Sequence, residues 1–318
     1  MQDPRIDFLN DIAMDGSRVI YSESPIVLLC GGKAPQKERP NDADPPLSSL
    51  RHAITLEHTS FEIFMPEEIT DWHIDGIYQN LMDCEADLSG ICSLVVIVLE
   101  SPGAIAELGA FSQLTDLSHR LMVITSDSFS TDSFIELGIL RHIRSQNNSG
   151  SVRSYPWVVP DNEEMSFKID SSVVHDVIND VSDQLLTIPQ NPVFKRHNNS
   201  HVIALIYQMI HLFIALKLSE ILEYLKSLDI DIDERQLVRK LFLLERFKII
   251  FKDTYSDSTY YAINSDSFHR IRFFHKEKSK VVDLVRIKAS CSVFYGASND
   301  RHRIGFLKKI SNRRGANE

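Results

Sequence analysis

The run Leu94-Val95-Val96-Ile97-Val98-Leu99 contains no polar residue, and Glu100-Ser101-Pro102-Gly103 follows it directly. An unbroken, mostly β-branched run of this length is a strand buried on both faces, because a strand with one wet face would alternate. Proline ends the strand and suits the first turn of a helix, so a helix is expected from Gly103. A strand covered on both sides requires a layer of helices above and below it. The rest of the first half repeats this pattern. Further strands are expected at 25–30, 61–65, 121–125 and near 157–159, and helices at 47–56, 74–88, 103–117, 134–144 and 172–186. The fold class expected is α/β, a doubly wound parallel sheet. Two stretches read as irregular: 33–46, rich in proline and charge, and the polar segment 145–153.

The second half changes character. After a linker-like stretch at 188–200, helices are expected at 202–216, 218–228 and 234–247, with a turn at 229–233. Two β-rich segments, 248–255 and 259–264, then meet at Ser256-Asp257-Ser258, a hairpin signal. Helix, turn, helix, hairpin is the outline of a winged helix-turn-helix. Two domains are therefore expected, 1–190 as the α/β catalytic part and 191–318 as a mainly α, winged-helix-like basic part. Charge divides the same way. Residues 190–318 hold 23 Lys and Arg against 14 Asp and Glu, a balance of +9; residues 1–189 hold 11 against 30, or −19; together they make the net −10. Such a split fits either a second half that faces an anionic partner or electrostatic pairing between the halves.

Four cysteines, Cys30, Cys84, Cys92 and Cys291, show no metal-ligand spacing, so reduced thiols in a cytoplasmic protein are expected, without a metal. The apolar runs are too short or too mixed to span a bilayer, and residues 1–10 lack a signal-peptide core.

Chemistry concentrates where the buried strand gives way to its helix, because ligands of such sheets sit beyond the carboxyl ends of the strands. Helical side chains lean back over positions i−3 and i−4, which for Glu107 are Ala104 and Gly103. The Glu107 carboxylate can thus reach the crevice, and the helix dipole favours its ionised form. An oriented carboxylate of this kind suits a glycosidic-bond nucleophile; the plain alternative is a solvated glutamate on a small-residue helix. Asp87 closes the preceding helical pattern, either entering the same crevice or serving only as a helix-end acid. Gly31 and Gly32 follow the first strand without the spacing of a P-loop, and they permit close backbone approach to ribose or phosphate. Ser101 and Gly103 complete the expected substrate-binding set.

These pieces together resemble the nucleoside 2-deoxyribosyltransferase family, through Cys30-Gly31-Gly32, Asp87-Leu88-Ser89-Gly90-Ile91 and Glu107-Leu108-Gly109, over roughly residues 25–185. The resemblance implies Glu107 as the nucleophile at the anomeric carbon and Asp87 at the leaving base. Two departures, Ser101 in place of the family's acid six positions before the nucleophile and Leu28-Leu29 in place of its first-strand aromatic, weaken the case for transfer between free deoxynucleosides. More narrowly, Ile26–Gly32 with Glu100–Phe111 and a basic tail resembles the effectors of type II retron anti-phage systems. That resemblance implies a toxic N-glycosidase with NAD⁺ as substrate and no cofactor, partnered by a reverse transcriptase and its multicopy single-stranded DNA, and oligomeric. Deoxynucleotide hydrolysis or transfer, and a nucleotide-sensing DNA-binding regulator without catalysis, remain the alternatives. Nucleic-acid contacts are expected from Arg235, Arg239 and Lys240 on the presumed recognition helix, and from Lys308 and Lys309 near the C-terminus.

Overall fold

The computed structural model describes residues 2–35, 45–69, 76–117, 119–129, 132–146, 151–158, 167–298 and 300–314, with side chains through 311. Of the two stretches expected to be irregular, 36–44 and 147–150 lie outside the described residues. In chain order the first elements are α1 (Pro4–Asp11), β1 (Arg18–Ile20), β2 (Ile26–Cys30), α2 (Leu50–Thr55), β3 (Glu62–Phe64), α3 (Leu81–Ile91), β4 (Leu94–Val98) and α4 (Pro102–Phe111). They continue with β5 (Leu121–Ser126), α5 (Arg141–Gln146), β6 (Val152–Tyr155), α6 (Ser171–Thr187) and α7 (Asn199–Phe213). The last are α8 (Leu218–Ser227), α9 (Glu234–Arg246), β7 (Ile250–Tyr255), β8 (Ser258–Ile263), β9 (Arg270–Arg272), α10 (Leu284–Ala297) and α11 (Arg301–Arg314). The chain divides into two compact units, one of Ser24–Trp72 with Asn80–Pro189, the other of Met1–Glu23, His73–Gln79 and Gln190–Glu318.

The first unit is built on a central parallel sheet of five strands in the order β3-β2-β4-β5-β6. Every residue of β4 and β5 is buried, as the unbroken apolar runs require. Where expectation and structure part, local chemistry explains it. The fifth strand forms at Val152–Tyr155, ahead of the expected 157–159, of which Val159 lies outside the described residues, and it shows a half-exposed burial pattern. Among the described residues it pairs with β5 alone, as an edge strand, so it lacks the apolar run that marks a central strand. Of the helix expected at 74–88, residues 74 and 75 lie outside the described residues, and the described part starts at Leu81, where the Asn80 side chain accepts from Asp83 N and caps it. Gly76, with φ of +64°, takes the left-handed conformation ahead of it. The helix after β4 stops at Phe111, and a single 3₁₀ turn covers Thr115–Leu117.

The second unit takes in both chain ends. β1 pairs antiparallel with β9, Val19 facing Ile271, and both of those side chains are buried. Within 188–200, the stretch expected as a linker, the backbone bonds the β1 segment: Val19 N donates to Pro192 O at 3.0 Å and Phe194 N to Ser17 O at 2.8 Å. α7 is buried along nearly its whole length. α8, α9 and the β7–β8 hairpin follow, the hairpin closing in a two-residue turn at Ser256-Asp257 with Ser256 at φ of 57°. α1, α8 and α11 meet at Glu220, whose carboxylate accepts from Arg5 and from Arg303, each at 2.7 Å. No helix among the described residues is long and apolar enough to cross a membrane.

Candidate active site

Strand order decides where a ligand can enter the parallel sheet. β3 lies on one side of β2 and β4 on the other, so the chain reverses its direction of winding between β2 and β4. The crevice beyond the carboxyl ends of the strands at such a reversal is where ligands of these sheets bind. Gly31-Gly32 leaves β2 there, and Glu100-Ser101 leaves β4 beside it.

These two exits are locked together. Glu100 is half-buried, and its carboxylate accepts from Gly32 N at 3.0 Å, Leu50 N at 2.8 Å and Arg51 N at 3.0 Å. One side chain thus holds the β2 loop and satisfies amides at the start of α2 that a helix cannot satisfy itself. Burial pushes the Glu100 carboxyl up, against the lowering effect of those amides and of Arg51. Ser101 caps α4, accepting from Ala104 N at 3.1 Å, and donates to Gly31 O at 3.1 Å. The need for the two glycines follows from this packing. A Cβ on Gly31 would lie 3.0 Å from Arg51 Cβ, and one on Gly32 would lie 2.8 Å from Ser49 Cβ. The glycines make room for the protein's own side chains.

Glu107 sits on α4 with its Oε2 atom buried and without a hydrogen-bond partner among the described residues. Burial raises its carboxyl above the usual range. The Arg51 guanidinium opposes that rise, Glu67 adds to it, and a hydrogen bond from the Cys30 thiol at the end of β2 to the carboxyl opposes it. The expected help from the helix dipole does not prevail. Glu107 lies beyond the first turn of α4, and the dipole fades within one turn. Arg51 is the cation of the cluster. Its side chain is 2% exposed and donates to both Glu67 oxygens, at 2.7 and 2.5 Å, and to Gly32 O at 3.1 Å. On α3, Glu85 is buried, and its carboxyl is pushed up to about 7 by burial, then by Glu107 and Glu67. Three carboxyl groups, from Glu67, Glu100 and Glu107, therefore share one guanidinium, and Glu85 adds a fourth acid beside Glu107 without that cation's help, an arrangement that costs stability and recurs at functional sites. A cavity of about 310 Å³ lined by Phe111, Leu117, Leu121 and His142 lies elsewhere, by the first residue of β5 at the amino end of the sheet, away from these carboxyls.

A family described as STM3845 retron effector protein matches residues 47–252, about two thirds of the chain, and that span covers the Arg51, Glu85, Glu100 and Glu107 cluster. The chain belongs to this retron effector family. Two relatives from Escherichia coli are similar to it. One, of retron Ec86, is named as a candidate ribosyltransferase/DNA-binding protein and is 30% identical over 132 residues, 40% of each chain. The other, of retron Ec73 and named likewise, is 33% identical over 116 residues, 36% of this chain and 34% of its own length. The alignments thus span well under half the length of the relatives.

In this retron effector the expected site residues are placed as follows. Glu107, Gly31, Gly32 and Ser101 gather at the β2–β4 reversal. Gly103 is exposed in the first turn of α4, where a Cβ would meet Ser101 Oγ at an ordinary contact distance of 3.8 Å. Asp87 is half-buried on α3. It lies about 200° around the helix from Glu85, so the two acids point to different sides. Arg51, Glu67, Glu85 and Glu100 went unread in the sequence; the pairing of Glu100 with Ser101, directly before a helix, was the one local signal.

The residues expected to bind nucleic acid lie in the other unit, and several have internal partners. Lys240 is buried and bonds the Asn199 side chain. The Arg239 guanidinium lies over the Tyr78 ring at 5.1 Å. Lys309 pairs with Asp253 at 2.7 Å. Arg235 and Lys308 are exposed. Arg303, part of the basic C-terminal run, is buried against Glu220.

Proposed function

We propose that the chain is an N-glycosidase that cleaves NAD⁺ to nicotinamide and ADP-ribose as the toxic effector of a retron. The supporting observation is the buried, unpartnered Oε2 of Glu107 beside Arg51 at the sheet reversal, since a polar atom left unsatisfied at a crevice is costly without a ligand. The names of the two Escherichia coli relatives support glycosyl chemistry. Glu107 attacks the anomeric carbon, the C–N bond breaks, and its electron pair stays on the departing nicotinamide, which leaves neutral and needs no proton. Water then attacks the glycosyl ester, releasing ADP-ribose and restoring the Glu107 carboxylate with retention. Glu85, with its proton affinity near neutrality, takes the proton from that water. A cationic pyridinium among so many carboxyls lowers the proton affinity of Glu107 and favours its attacking form. Asp87 acts on the base when the base needs protonation, as a purine does. In this reading the sheet unit carries the nucleoside deoxyribosyltransferase-like fold, and α8, α9 and the β7–β8 hairpin form a winged helix. Partners are a reverse transcriptase and its single-stranded DNA in an oligomeric assembly.

Purified protein incubated with NAD⁺, and separately with deoxynucleotides, is assayed for free base. Release of nicotinamide supports the reading; release from deoxynucleotides alone moves the substrate to that class. Glu107→Gln keeps the fold, shifts stability by less than about 1 kcal/mol, and abolishes release. Turnover at the wild-type rate in the folded variant removes Glu107 from the mechanism.

A further inference from the structure

β1 and β9 form a two-stranded ribbon whose register sets Arg18 directly opposite Arg272 and Ile20 opposite Arg270. Val19 and Ile271 point into the core, so Arg18, Ile20, Arg270 and Arg272 all face outward, and all four are exposed. The alternation continues past the strand. Phe273 is buried while Phe274 is 45% exposed, on the same side as Arg270 and Arg272. The backbone there is held at both polar groups of Phe274, its N donating to Ser17 Oγ at 3.2 Å and its O accepting from Ala13 N at 2.7 Å.

Like charges set directly opposite across two strands repel. Among the described residues no carboxylate relieves them: the Arg18 guanidinium donates to Asn191 O and that of Arg270 to Asp266 O, each at 2.8 Å and each to a carbonyl. Among the described residues no acidic side chain pairs with Arg18, Arg270 or Arg272. Lys276 and Lys278 extend the exposed positive charge just beyond Phe274. By contrast, Arg239, Lys240 and Lys309 spend their polar groups on internal partners.

We propose that the outward face of the β1–β9 ribbon is the surface that takes single-stranded nucleic acid, with Arg18, Arg270 and Arg272 on phosphates and Phe274 stacked on an unpaired base. Three arginines without carboxylates match a polyanion in geometry and sign, and arginine is suited to phosphate. The exposed ring selects the single strand, because only unpaired bases offer a free face for stacking. The inference rests on the reading above in one respect, that the chain binds nucleic acid at all.

The test uses the full chain and a fluorescent oligothymidylate, with affinity followed by anisotropy over a range of salt. The triple variant Arg18→Gln/Arg270→Gln/Arg272→Gln loses on the order of tenfold in affinity, and its log–log salt slope flattens by about 2, at about 0.7 for each phosphate contact. Its melting temperature does not fall, since a repulsive pair has been removed. Phe274→Ala weakens oligothymidylate binding several-fold and leaves binding of inorganic polyphosphate, which has no bases, unchanged. Arg235→Gln/Lys308→Gln changes neither. Wild-type binding that survives the ribbon triple but is lost in Arg235→Gln/Lys308→Gln overturns the ribbon and keeps the nucleic-acid reading. Wild-type protein that binds no oligothymidylate overturns both, whatever the glycosidase assay shows. A polyphosphate affinity that falls with Phe274→Ala as far as the oligothymidylate affinity assigns Phe274 to packing and overturns base stacking.

Discussion

At the scale of single residues, the crevice is a contest between burial and one cation. Glu107 and Glu100 are both raised by burial and both opposed by Arg51. Among the described residues nothing opposes the rise at Glu85; Glu107 and Glu67 add to the effect of burial, and its carboxyl rises from the ordinary 4.5 to about 7. The sign for stability follows. A carboxyl whose proton is held more tightly in the folded state stabilises the fold below its ordinary value, and that contribution is lost as pH climbs through its folded value. Stability of the sheet unit should therefore fall by about 3 kcal/mol between roughly pH 4.5 and 7.5. Glu85→Gln should remove most of that slope, as read from urea midpoints at about pH 5 and about pH 8. An identical slope in the variant would mean that Glu85 titrates at its ordinary value. Glu85 could not be singled out from sequence, because Asp87 stands two positions away on the same helix, and only the packing of α3 decides which acid turns toward Glu107.

At the scale of elements, the site depends on two strand exits held in register. Glu100 closes β4, caps α2 and fixes the loop after β2 with a single carboxylate. Gly32 makes this possible, and a Cβ there would also stand 3.0 Å from Glu100 Cγ. Ser49 Cβ belongs to a helix cap and has little freedom to move aside. Gly32→Ala should therefore cost about 1–3 kcal/mol, as overpacking does. It should also lower turnover by displacing α2 and with it Arg51. Thermal melting and base release are measured on the same preparation. A variant as stable as wild type would show that the loop yields without strain. Strand β4 and its helix were legible because a strand buried on both faces leaves an unmistakable apolar run. Edge strand β6 was misplaced because its exposed face dilutes that run with polar residues.

At the scale of the whole molecule, chain order and compact units do not coincide. Met1–Glu23 belongs with Gln190–Glu318, joined through β1–β9 and through Glu220, which receives Arg5 from α1 and Arg303 from α11. Counted by unit, the charges are 25 basic and 20 acidic residues, +5, against 9 and 24, −15, a narrower split than a cut in the linear sequence implies. Glu220→Gln would leave two buried guanidiniums short of a charge partner. It should cost about 3–5 kcal/mol, seen as a lower urea midpoint for the transition that reports α1 and α11. A loss below about 1 kcal/mol would mean that Asp3 and Asp300 carry the pair unaided. The sequence by itself determined the parallel α/β sheet, the strand-turn-helix that carries Glu107, and the helix-helix-hairpin order of the second half. Each of these is written in contiguous residues, as an apolar run, a proline-glycine turn or a periodic face. Only the tertiary structure decided that Arg51, Glu67 and Glu85 meet Glu107, that basic residues of α9 and α11 turn inward, and that Arg18 faces Arg272. Those meetings join segments far apart in the chain, and the strand order and register that bring them together are set by packing of the whole unit, not by any local pattern.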